Sequence, residues 1–314
     1  MAEPRPGPVM VAVGGGKGGV GKSFVAANLA LALARREAVA ERVVAVDLDF
    51  GGSNLNLLLG EPLPRAELGD FLDGRAADLD AIAQPTRVER LRYVAGTFDM
   101  VTAVDPIRDR KLDLVRALVG LDARWVVLDL PAGSAPSTLD FFFLGDVKLV
   151  VLNPEETAFS NAYGFLKNYL LRRLLTEFRD RPEVVAFILG WYREEVAPES
   201  GRGDRSVTGM QAALSGEFPA LRTELGGILR DDTPLLVLNR ARGRREAAYL
   251  DRFRRVVEEH LGLSCRALGV IPEDRRVRQA VRDGKPFLLA HPRHRIARRF
   301  EEWADRVSVR ARLP

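Results

Sequence analysis

The sequence predicts a doubly wound, mostly parallel α/β sheet with helices on both faces, built as one domain over residues 1–314. Three observations carry this reading. Short apolar runs alternate with amphipathic stretches along the chain. Most of those runs are continuous Val, Leu and Ile, as in strands buried on both faces. The first run also leads into a glycine-rich loop that opens a helix, the local form of a phosphate-binding crossover.

The elements follow in chain order. "VMVAVGG" (9–15) is an apolar strand, and 22–36 is a helix that starts near Lys22. "RVVAVDLD" (42–49) is a strand that turns acidic at its end, and "LRYVAG" (91–96) is a shorter one. A helix over 108–119 precedes "RWVVLDLP" (124–131), a strand ending in a carboxylate. "VKLVVLNP" (147–154) is the next strand, followed by a helix over 157–178. "EVVAFILGW" (183–191) is an unbroken apolar run and reads as a further strand. Residues 192–209 are polar, charged and rich in Gly and Pro, so they read as an exposed loop. With one or two short helices in 207–230, they form an insert over about 192–230. "PLLVLNRA" (234–241) and "CRALGVIP" (265–272) are the last strands, interleaved with helices over 246–261, 275–283 and 294–309. No internal repeat is present.

Composition narrows the function. The single cysteine, Cys265, excludes an intrachain disulfide framework and any metal site built on several cysteines of one chain. The leader "MAEPRPGPV" has no apolar core, so it is no signal peptide. No run approaches the roughly 18 apolar residues of a membrane span. The expected location is the cytoplasm. The net charge of +4 is uneven: residues 240–314 carry 20 Arg and Lys against 10 Asp and Glu, and residues 1–239 carry 27 against 33. A basic C-terminal quarter suits a surface for nucleic acid or anionic lipid, or simply a solvated arginine-rich exterior.

The chemistry begins at "GGGKGGVGKS" (14–23). Gly16 to Ser23 fit the P-loop pattern G-x-x-x-x-G-K-[ST], between a strand and a helix as that motif requires. Gly16, Gly18, Gly19, Val20 and Gly21 supply backbone N–H groups to phosphate oxygens, and the helix N-terminus adds its partial positive charge. Lys22 reaches the β- and γ-phosphates of the nucleotide, and Ser23 offers a hydroxyl to Mg²⁺. In "VDLDFGGSNLN", Asp47 and Asp49 lie on one face at the C-terminal end of a strand, where doubly wound sheets bind ligands. There a carboxylate positions water near a γ-phosphate or holds a water on Mg²⁺. "WVVLDLPAG" (125–133) has the Walker B form, with Asp129 toward the metal's water shell and the Gly133 N–H toward the γ-phosphate. The P-loop lysine is Lys22, which leaves Lys17 without a role in that motif.

"KGGVGKS" resembles the deviant Walker A motif of the MinD/ParA group of P-loop ATPases. "DLDFGGSNLNLLLG" is similar to that family's switch I. The stretch 129–167 looks most like the branch of flagellar-number ATPases (FlhG, also called FleN) and the MinD-like proteins around them. "LVLNRA" and "LGVIPEDRRVRQAV" resemble the family's adenine-pocket elements. The likeness runs from about residue 9 to about 290. It implies that Lys17 crosses a dimer interface to the partner's nucleotide, and that Asp49 positions the attacking water. Asp47 and Asp129 would support the metal, Glu155 would contact the partner's ribose, Asn239 would hydrogen-bond adenine, and Pro272 would line the base. Taken alone, an Asn at a strand end is more often a turn or cap residue.

Two departures stand out. Members of the FlhG type carry an activating helix before the P-loop, where this sequence has a short Pro-rich stretch. In the segment 294–309, Ile296, Phe300, Trp303 and Val307 share one helical face amid arginines. That face fits an interfacial membrane helix or the last core helix of the fold, and the sequence leaves both open. The implied function is a slow, partner-stimulated ATPase that uses ATP and Mg²⁺. It would form a homodimer in the ATP state and act through a protein partner, with a peripheral membrane contact. It would thereby position or regulate a cellular structure at the membrane or pole. The alternative is a ParA-like ATPase that binds DNA nonspecifically for partitioning. A cluster carrier needs more cysteines than one, and no second-substrate pocket of a ligase is visible.

Overall fold

The computed structural model describes residues 7–36, 42–49, 52–97, 106–196, 206–231 and 233–310. In chain order, β1 (Val9–Gly14) leads to α1 (Lys22–Ala34), and β2 (Val43–Asp47) to the short α2 (Leu55–Leu58) and α3 (Leu68–Leu72). β3 (Gln84–Pro85) and β4 (Leu91–Val94) precede α4 (Pro106–Val119), β5 (Trp125–Asp129), α5 (Pro136–Leu144) and β6 (Val147–Leu152). Four helices follow: α6 (Glu156–Glu177), α7 (Pro182–Val196), α8 (Val207–Glu217) and α9 (Arg222–Asp231). The chain closes with β7 (Leu235–Ala241), α10 (Arg244–Leu261), β8 (Arg266–Pro272), α11 (Arg275–Arg282), α12 (Phe287–Ala290) and α13 (Arg295–Arg310).

The eight strands form one sheet in the order β3-β4-β2-β5-β1-β6-β7-β8. Every pairing is parallel except β3 with β4. β1, β2 and β5 are buried along their whole length, which is why they read as unbroken apolar runs. Alternate residues point to two cores. One core joins β1 and β5 to α1, α12 and α13 through Val11, Val127, Phe24, Phe287 and Phe300. The other joins the same strands to α4, α5, α6, α7, α8 and α10 through Val126, Leu114, Phe142, Phe165 and Phe253. This is the predicted doubly wound fold, and the P-loop and the carboxylate strand ends all lie at the C-terminal edge of its central strands.

Two expectations change. The apolar run 183–191 is helix, not strand. Pro182 opens α7, and Val184, Phe187, Ile188 and Trp191 recur at helical spacing and pack on the second core. β6 and β7 pair directly, from Leu149 with Leu235 to Leu152 with Leu238, so no strand intervenes. The insert is accordingly more helical than its composition indicated, with residues 197–205 outside the described set. At the C-terminus, Ile296, Phe300, Trp303 and Val307 are each at most 2% exposed and pack against α1 and β8. The apolar stripe of α13 is core, and the interfacial reading of that helix is withdrawn.

Candidate functional site

The loop between β1 and α1 is shaped by what its neighbours exclude. A Cβ at Gly16 would stand 1.9 Å from the backbone oxygen of Asn161, so only glycine lets α6 approach. Gly21 has φ of 99°, and a Cβ there would meet the Asn239 amide nitrogen at 2.2 Å. That amide donates to the Val20 carbonyl at 2.8 Å and ties the end of β7 to the loop. Gly18 and Gly19 form the open rim; a Cβ at Gly18 would touch only Ala132, and one at Gly19 nothing. Lys22 begins α1 and is buried, with its ammonium 3.4 Å from the Lys17 carbonyl. Burial pulls its pKa down, against the attraction of Asp129 and Asp49. A buried cation in a glycine-rich loop at a helix N-terminus has the make-up of a phosphate site.

Asp47 and Asp129 have opposite settings. Asp47 and Asp129 stand in register on adjacent strands β2 and β5. Both oxygens of Asp47 are engaged by its own chain: one accepts the Asp49 N–H at 2.9 Å. The other accepts the Ser53 hydroxyl at 2.8 Å and the N–H groups of Asn54 and Leu55 at 3.2 Å. Burial raises its pKa while these donors lower it. Asp47, expected at the metal, also holds the Asp49 backbone, Ser53 and the start of α2. Asp129 is the opposite case. It is 1% exposed and neither oxygen accepts a hydrogen bond of good geometry, the Ser23 hydroxyl being the polar group that bears on them. Burial first, then the charge of Asp47, pushes its pKa well above the ordinary carboxylate value. A buried carboxylate with only a serine hydroxyl bearing on it, beside a P-loop lysine, is a setting that a hard divalent cation satisfies. Asp129 and Ser23 would hold such an ion, which neutralises phosphate charge when bound.

Two expected contacts are occupied differently. Gly133 has φ of 90° and its N–H donates to the Gly15 carbonyl at 3.3 Å, so the group expected at the γ-phosphate here bridges two loops. Lys17 is paired within its own subunit. Its ammonium lies 2.7 Å from Glu155 Oε2 and 2.7 Å from the Thr157 hydroxyl, both at the start of α6. The Lys17 ammonium holds the Glu155 carboxyl below its usual range. Lys17 and Glu155 are both partly solvent-accessible, at 34% and 53%.

A cleft of about 300 Å³ adjoins the loop, lined by Gly21, Phe24, Asn239, Pro272, Val277 and Arg278 among others. It brings Asn239 and Pro272 together beside the P-loop, as expected of a base pocket, although the Asn239 amide nitrogen is committed to Val20. Sequence reading missed Ser53, Thr157 and the Arg242–Glu273 pair at the cleft edge. Ser53 lies inside the quoted switch stretch and Thr157 two residues past Glu155, so the signal was adjacency to named residues.

Residues 11–287 match the model of the CobQ/CobB/MinD/ParA nucleotide binding domain. The chain is 27% identical over 299 residues to the antiactivator FleN of Pseudomonas aeruginosa, covering 95% of this chain and 85% of that one. It is 26% identical over 245 residues to the septum site-determining protein MinD of Escherichia coli, covering 77% and 84% respectively. Its fold superposes on MinD of Pyrococcus horikoshii, solved with Mg-ADP, at a TM-score of 0.62 and 21% identity over 98% of this chain and 100% of that one. The chain belongs to the CobQ/CobB/MinD/ParA nucleotide-binding family, and it is a P-loop ATPase.

Proposed function

We propose that this ATPase is a dimerising switch of the FleN/MinD kind, using ATP with Mg²⁺ to position or regulate a cellular structure. The observation that carries the reading is Lys17. It sits in the phosphate loop yet bonds outward to Glu155 and Thr157 at the surface, partly exposed and so available to a second subunit. Lys22 serves the subunit's own phosphates. In the closed dimer Lys17 leaves Glu155, crosses the interface and neutralises charge on the partner's nucleotide. Glu155, released, faces the partner's ribose. Gly133 exchanges the Gly15 carbonyl for a γ-phosphate oxygen. Asp49, held through its backbone by Asp47, orients water for in-line attack, and the lost γ-phosphate contacts loosen both loops so that the dimer opens.

The output is then a location or a partner choice. No described helix is long and apolar enough to cross a membrane, and the buried stripe of α13 leaves any membrane contact to another surface. A cytoplasmic protein recruited peripherally, through a partner protein, fits these features. The test has two parts. Lys17→Ala is expected to abolish ATP-dependent dimerisation in light-scattering chromatography, and Asp49→Ala to trap the dimer and stop turnover. Normal dimerisation of the first variant, or a normal rate in the second, refutes the mechanism. A fluorescent fusion carrying Asp49→Ala should then label the membrane or a pole. Nucleoid signal, with DNA retention that falls steeply with salt, would instead favour the ParA-like reading.

A further inference from the structure

A groove of about 450 Å³ lies between α4, α5 and α6, on the sheet face away from α1. Its floor is apolar and open to solvent: Leu112 is 67% exposed and Phe143 40%, beside Tyr169. Cationic side chains of Lys111, Arg172, Arg173 and Arg179 line it; Arg173 lies 3.9 Å from Glu177, Arg179 lies 3.6 Å from Asp180, and Lys111 and Arg172 face one carboxylate, Asp140. That carboxylate is already shared, accepting from Lys111 at 2.6 Å and from the Arg172 guanidinium at 2.8 Å. The groove therefore offers apolar contact beside four cations that share three carboxylates, a modest surplus of positive charge on a concave surface.

The groove is also wired to the phosphate loop. Its α5 wall begins three residues after Gly133, whose N–H is bonded to Gly15. Phe142 of α5 packs under the end of β1, where a Cβ at Gly14 would stand 3.0 Å from its ring. The same ring makes an edge contact with Tyr169 in the groove, centroids 4.9 Å apart. Two contacts thus separate the stem of the P-loop from the groove floor.

We propose that this groove docks an acidic amphipathic helix of a partner protein, with apolar residues on Leu112 and Phe143 and carboxylates toward Arg172 and Arg179. The dependence of docking on nucleotide, through α5, rests on the switch reading above; the docking surface does not. Charge complementarity selects the occupant, since the four lining cations outnumber their three carboxylate partners and a basic helix would add to that surplus.

The test pans a library of displayed peptides against the full chain, with ADP and with Mg-ATP. The enriched peptides should carry apolar residues at i, i+3, i+4 and i+7 with Asp or Glu between them. Leu112→Asp and Arg179→Glu change side chains that are 67% and 72% exposed, so neither should disturb folding, and the basal ATPase rate checks this. Each is expected to weaken the selected peptides about tenfold, the size of a single hot-spot loss, while Arg179→Lys retains most of the binding. Enrichment of basic or uncharged peptides, or of acidic ones indifferent to both variants, overturns the proposal. Variant-sensitive acidic peptides that bind ADP and ATP forms equally support the surface and overturn its nucleotide coupling, leaving ATP-driven dimerisation to be judged on Lys17.

Discussion

Replacing Asp129 by Asn should stabilise the free protein and destabilise the liganded one relative to wild type. The carboxylate is buried and lacks a well-placed donor. An ionised group in that setting costs several kcal/mol, whereas a neutral amide with a missing partner costs about 1–3 kcal/mol. A net gain of about 1–3 kcal/mol is expected for the isosteric change. With roughly 2.1 cal/mol/K of unfolding entropy per residue, a chain of this length gains about 2–5 °C in Tm. Mg-ADP at about a thousandfold excess over its Kd stabilises wild type by about 4.1 kcal/mol, or about 6 °C. The amide cannot answer the cation's charge, so the variant should lose most of that increment. The ranking of the two proteins inverts on adding Mg-ADP, and thermal melts with and without it read the inversion directly. A variant that melts lower than wild type without nucleotide refutes the reasoning, because Asp129 would then be compensated in the free protein. The case for a cation there would lose its basis.

Three further outcomes are expected. Gly16→Ala puts a methyl 1.9 Å from the Asn161 carbonyl, so α6 must move and nucleotide binding by titration calorimetry should be lost. Trp303→Ala empties a site only 2% exposed and should cost about 3–5 kcal/mol, or about 5–8 °C in Tm. A near-zero cost coupled to lost vesicle binding would restore the membrane reading of α13. Asp140 is partly buried, which works against ionisation, yet Arg172 and Lys111 hold its carboxyl below the ordinary 3.8. Its ionised form therefore stabilises the fold above about pH 3.8, and that stability drains as pH falls through the lower folded value. Asp140→Asn should lower stability at neutral pH and flatten the acid limb of a stability–pH curve.

The phosphate site was legible because its chemistry is local. Gly16 to Ser23 form one loop and helix start, Asp47 and Asp129 each end a strand whose apolar run marks it, and Asp49 lies two residues beyond β2. The settings of those groups were not legible. That Asp47 is satisfied while Asp129 lacks a well-placed donor depends on Ser53, Asn54 and Leu55 reaching back to Asp47, which no spacing encodes. The Lys17–Glu155 pair joins residues 138 positions apart, and β1 meets β6 only through the sheet.

By itself the sequence determined the fold class, the positions along the chain of seven of the eight described strands and the residue types of the phosphate site, since backbone periodicity and loop chemistry act over a few neighbours. Tertiary structure decided what those signals left degenerate. The run 183–191 satisfies both a strand and a helix, and the direct pairing of β6 with β7 made it a helix. The stripe Ile296, Phe300, Trp303 and Val307 suits lipid or protein equally, because hydrophobic burial has no direction. Only the exposed face of the sheet beside α1 made it core.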